Sequence, residues 1–61
     1  MDAGRILVVD DEQNARIVLK KVLSRDGFEV TTVENGEDGL KAISVSRPDL
    51  VLMDIIMPDY N

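Results

Sequence analysis

The sequence has no cysteine and no histidine. The first absence excludes a disulfide or a thiolate metal site. The second removes the usual general base of enzymes and the commonest ligand of transition metals. Also missing is any apolar run near the roughly 20 residues of a membrane span. The N-terminus lacks the basic segment and long apolar core of a signal peptide. A cytoplasmic soluble protein with no membrane contact is the expectation. Positive charge is scarce: 7 Lys and Arg against 12 Asp and Glu leave a net charge of −5. Direct nucleic-acid binding normally shows a basic footprint, so none is expected.

What is present is enough for one small folded unit. The 61 residues are 44% hydrophobic, a globular composition and not a disordered one. A domain of about 60 residues buries only about 60% of the surface its unfolded chain exposes, so it is marginal alone.

The informative stretch is Leu50-Val51-Leu52-Met53-Asp54-Ile55-Ile56-Met57-Pro58. A short run this rich in Val, Ile and Leu reads as a buried strand. Pro58 cannot donate to a ladder, so the strand ends at or before Met57. Asp54 stands out because an aspartate is almost never fully buried unless it is paired. It is either an active carboxylate or a polar cap at the strand's carboxyl end, the edge of an open parallel sheet where ligands sit.

A second apolar run, Arg5-Ile6-Leu7-Val8-Val9, stops at Asp10-Asp11-Glu12. Consecutive apolar residues imply a strand covered on both faces, as in a parallel sheet. Acids at the end of such a strand must face water, cap a helix or bind a cation. A helix is expected over Gln13 to Arg25, with Ala15, Val18, Leu19, Val22 and Leu23 as its apolar stripe and Gly27 as its stop. Phe28 to Val33 is a more polar strand, suited to a sheet edge. Asn35 offers an N-cap to a second helix over Gly36 to Val45. Leu40 and Ile43 form its apolar face, and Gly39 allows a close approach to the sheet. Ser46-Arg47-Pro48-Asp49 is a turn before the Leu50 strand.

The order is strand, helix, strand, helix, strand: an α/β unit of two right-handed crossovers. The polar second strand belongs at an edge, giving a parallel sheet of order 2-1-3 with one helix on each face. Connections then leave the first and third strands in opposite directions and open a crevice at their carboxyl ends. Asp10, Asp11 and Asp54 are expected to converge there. Two carboxylates at about 4 Å repel by about 4 kcal/mol at an effective dielectric of about 20. Such a group must protonate, spread or recruit a cation. Oxygen ligands suit Mg²⁺ or Mn²⁺. An aspartate beside such a metal can act as a nucleophile toward phosphorus.

The segment Ile6-Leu7-Val8-Val9-Asp10-Asp11-Glu12, followed by Pro48 to Pro58, closely resembles the receiver domain of two-component response regulators. The Glu34-Asn35-Gly36 turn also agrees. The resemblance implies that Asp54 is the aspartate phosphorylated by a sensor histidine kinase. It implies that Asp11 ligates Mg²⁺ directly, that Asp10 holds the metal largely through water, and that the backbone carbonyl of Ile56 is a further ligand. Receiver domains are five-stranded and roughly double this length, within the common domain size. Residues 1–61 are therefore expected to be the N-terminal half of a flavodoxin-like receiver. The Thr or Ser after strand four, the Lys after strand five and the aromatic switch residue have no counterpart here, and Tyr60 does not match the switch position.

In such a half the third strand becomes an edge, and an apolar edge is a pairing site. Self-association is the expectation, as a six-stranded sheet 2-1-3-3′-1′-2′ about a two-fold axis. Pairing with a separate piece carrying the missing half is the rival. The chain is thus expected to be a signalling module and not an enzyme, or else a self-associating half-domain with a relict acidic site. A phosphatase of the haloacid-dehalogenase type would want Asp-x-Asp after the first strand, a spacing that Asp10-Asp11-Glu12 lacks. Met53 and Met57 read as core filling. Lys41 lies on the second helix and does not replace the missing lysine.

Overall fold

A computed structural model describes residues 4–53. Its elements are β1 (Arg5–Val9), α1 (Gln13–Arg25), β2 (Glu29–Val33), α2 (Gly36–Ser46) and β3 (Leu50–Met53). The strands form one parallel sheet in the order β2-β1-β3. The apolar run of β1 is thus central. The more polar β2 lies on one edge, and β3 on the other.

The core among the described residues is a single strand. Ile6, Leu7, Val8 and Val9 are all buried, with Leu7 fully excluded from solvent. Their side chains alternate between the two faces. Val9 lies under α2, because a Cβ on Gly39 would stand 3.2 Å from its Cγ2 atom. Val8 and Leu19 of α1 line a shallow groove together. One helix therefore covers each face, and the consecutive apolar character of β1 follows from that double cover.

The helix ends follow their local chemistry. Gly27 adopts φ 95°, a left-handed conformation that costs glycine nothing. The Phe28 N–H then donates to the Leu23 carbonyl at 3.2 Å and the Gly27 N–H to Ser24 at 3.0 Å. This is the paired C-terminal closure of a Schellman motif. Asn35 caps α2, its side chain accepting from the Asp38 N–H at 2.8 Å. Arg47, at φ 48°, closes α2 in the left-handed region, and its N–H donates to the Ile43 carbonyl at 3.0 Å.

Two expected helix faces are corrected. On α1, Ala15, Leu19 and Leu23 are half-buried, whereas Val18 is 57% and Val22 50% exposed. On α2, Gly39 is buried and Ala42 half-buried, whereas Leu40 is 70% exposed and Ile43 is exposed too. Small residues, not large ones, bring α2 down onto the sheet. Leu40 follows Gly39 by one position, about 100° around the helix, and so turns off the contact face. Both helices sit over β1 and β2, and only Leu19 of α1 approaches β3, where it lines a groove with Leu52 and Met53. A stripe wide enough for a full sheet therefore finds only part of one beneath it. Two boundaries also move by one residue: β2 begins at Glu29 and α2 extends to Ser46. Among the described residues no helix is long and apolar enough to cross a membrane.

Candidate functional site at the carboxyl end of the sheet

Parallel pairing fixes which residues share the carboxyl edge. Val9 of β1 pairs with Val33 of β2 and with Met53 of β3. Asp10 and Asp11 follow Val9, and Asp54 follows Met53 in the sequence. Asp54 and Ile56, the expected phosphoacceptor and carbonyl ligand, lie outside the described residues, as does Tyr60.

Asp10 is held on three sides. Its N–H continues the ladder to the Val33 carbonyl at 3.1 Å. Its carbonyl accepts from the Arg16 guanidinium at 2.7 Å. Its carboxylate Oδ1 accepts from the Glu12 N–H at 2.9 Å. That last bond closes the turn into α1. Glu12 occupies the N-cap position of α1 but makes no capping bond with its own side chain. The carboxylate two residues earlier closes the turn instead, as an aspartate does in an Asx-turn. Asp11 stands exposed at the bend between β1 and α1.

Arg16 and Asp49 are the residues that sequence reasoning underrated. Arg16 lies off the apolar stripe of α1 and is half-buried, because its side chain leans back toward the helix start and reaches the Asp10 carbonyl. The usable signal was its place one turn into a helix that follows the acidic pair. By sequence Asp49 is only the last residue of a turn. Its Oδ2 atom accepts from the Arg5 N–H at 2.9 Å, and its own N–H donates to the Arg5 carbonyl at 2.8 Å. Arg5 also donates to the Ser46 carbonyl at 3.1 Å and pairs with Glu29 at 3.4 Å. These bonds fasten the opposite end of the sheet and leave the carboxyl end to the acids.

The donor set at this end fits a hard cation. Asp10 and Asp11 offer oxygen only, and no imidazole or thiolate ligand can enter because the chain has no His or Cys. Among the described residues no cluster of three or more potential ligands occurs. Two of the three expected carboxylates, Asp10 and Asp11, are among those residues. A shallow groove lined by Val8, Val9, Asp10, Leu19, Leu52 and Met53 opens beside them.

A parallel α/β sheet in the order β2-β1-β3, with its acids after the central strand, defines the flavodoxin-like class of doubly wound folds. Within that class the chain belongs to the response regulator receiver domain family, whose model matches residues 6–61. The chain is 45% identical over 60 residues to the chemotaxis protein CheY of Bacillus subtilis, covering 97% of this chain and 50% of that protein. It is 44% identical over 58 residues to protein PilH of Pseudomonas aeruginosa, covering 95% of this chain and 48% of PilH. It is 41% identical over 54 residues to the alkaline phosphatase synthesis transcriptional regulatory protein PhoP of Bacillus subtilis, covering 88% of this chain and 22% of PhoP. The chain thus spans about half the length of CheY and PilH.

Proposed function

We propose that this chain is the phosphoacceptor part of a receiver module in two-component signalling, acting in the cytoplasm. Asp54 is the acceptor and a sensor histidine kinase the donor. A carboxylate oxygen of Asp54 attacks the phosphorus of the kinase phosphohistidine. The O–P bond forms as the P–N bond breaks, and the electron pair leaves on the imidazole nitrogen. Asp10, Asp11, Asp54 and the Ile56 carbonyl are the residues that would hold Mg²⁺, which when bound offsets charge on the phosphoryl oxygens. The chain is the kinase's substrate in this scheme and not itself an enzyme.

The pairing of Val9 with Met53 carries the reading. In the sequence Asp10 follows Val9 and Asp54 follows Met53, so each of two strands that end level with one another leads into an acid. The test is intact-mass analysis after incubation with acetyl phosphate and Mg²⁺. One phosphoryl adduct is expected, absent in Asp54→Asn. An unmodified folded chain would refute the reading.

A second reading rests on β3. Leu50, Val51 and Met53 are 51%, 36% and 51% exposed, and neither helix covers the strand. Such an apolar edge favours association of two copies through antiparallel β3 strands, with the acidic site a relict. Sedimentation equilibrium distinguishes it: a dimer that takes no phosphoryl group favours this reading, and a monomer at high concentration excludes it.

A further inference from the structure

Arg16 is the one basic residue whose side chain reaches the acidic end of β1 among the described residues. Glu34 and Asp38 line the open groove around it with Thr32 and Val33, so carboxylates attract it there, while its own charge repels a second cation. Its geometry offers another reason. The guanidinium bonds a backbone carbonyl at 2.7 Å and is half-buried, so it is fixed and not a waving surface charge.

The peptide between Asp10 and Asp11 is planar, so fixing its carbonyl fixes the direction of the Asp11 N–H and the position of the Asp11 Cα atom. The Asx-turn bond from the Glu12 N–H to the Asp10 carboxylate spans the same peptide, and the Arg16 bond is the one that holds its carbonyl oxygen directly. We infer that Arg16 is a positioning residue for the divalent-cation site: by clamping the Asp10 carbonyl it sets where the Asp11 carboxylate stands. This rests on the reading of Asp10 and Asp11 as metal ligands. Partners behind a ligand shell commonly change metal affinity by about 10–100-fold when removed.

The test exploits the sign of the effect. Mn²⁺ is titrated into the full chain and the free ion followed by its paramagnetic resonance signal, alongside circular dichroism of each variant. Arg16→Met keeps the length of the side chain and removes both donor and charge. Positioning predicts about tenfold weaker Mn²⁺ binding with the fold intact, and Arg16→Lys intermediate between Met and wild type. A purely electrostatic role predicts tighter binding in Arg16→Met, and a purely structural one predicts lower thermal stability with unchanged affinity; either result overturns the inference. Should Arg16→Met lose its fold, Arg16→Lys decides, since wild-type affinity in that folded variant also overturns it. A wild-type chain that binds no Mn²⁺ removes the reading of the site, and this inference with it, whereas binding by wild type and Arg16→Met alike removes the inference alone.

Discussion

Val9 and Met53 face each other at the carboxyl ends of neighbouring parallel strands, and each is followed in the sequence by an aspartate. That relationship links the fold to its chemistry. It depends on β1 being central, which depends in turn on four consecutive apolar residues that only a doubly covered strand can bury.

The whole described core lies on β1, so one deletion there should be decisive. Leu7 is fully excluded from solvent. Leu→Ala at such a site costs about 2–5 kcal/mol. A chain of this size has about 3–9 kcal/mol in total at ordinary per-residue stability. Leu7→Ala is expected to abolish the cooperative thermal transition seen by circular dichroism. A wild-type melting curve would show that β1 is not the core.

Gly39 sets the distance between α2 and the sheet. A Cβ there would lie 3.2 Å from the Val9 Cγ2 atom and 3.8 Å from the Val33 Cγ2 atom. Gly39→Ala sets that crowding against a helix-propensity gain of about 1 kcal/mol, so it should be close to neutral. Gly39→Val adds branches where there is no room and is expected to cost about 2 kcal/mol. Urea denaturation midpoints of the two variants check this. Equal midpoints would mean that α2 is not seated on Val9.

These two positions show what the sequence made legible. The apolar run of β1, the polar edge strand and the approach glycine each carry a local signature, and the sheet order followed from them. The inward faces of the helices were harder to read. Val18, Val22, Leu40 and Ile43 have the right spacing and chemistry, yet all are exposed. Periodicity reports that a helix has an apolar side, but not how much sheet lies beneath it. Arg16 and Asp49 were missed for a different reason. Their partners are main-chain atoms of Asp10 and Arg5, and backbone hydrogen-bonding groups leave no residue pattern to find.

Asp49 joins the start of β3 to the start of β1 through both its backbone and its carboxylate. A single such side-chain bond in a solvent-exposed setting contributes up to about 1 kcal/mol. Asp49→Ala is therefore expected to lower stability by about that amount, while Asp49→Asn, which keeps a carbonyl acceptor, loses less. Chemical denaturation of both variants checks the order. Equal losses would assign the role to the carboxylate charge and not to the hydrogen bond.

Val51 lies on the uncovered strand and is 36% exposed. If β3 edges pair, Val51→Lys should shift sedimentation equilibrium toward monomer, since lysine on an edge strand opposes pairing. It should leave the helical circular dichroism unchanged. A dimer that survives the substitution would place the contact elsewhere.

On the proposed reading, the acids after β1 and the acid after β3 form one cation site. The most direct measurement is a Mg²⁺ titration followed by ¹H–¹⁵N NMR, in wild type and in Asp54→Asn. The expected shifts are concentrated at Asp10, Asp11 and Glu12 together with Asp54 to Ile56, move on one binding curve and are largely lost in the variant. Shifts at the two segments with different affinities, or shifts at Asp10 and Asp11 that persist unchanged in Asp54→Asn, would contradict it.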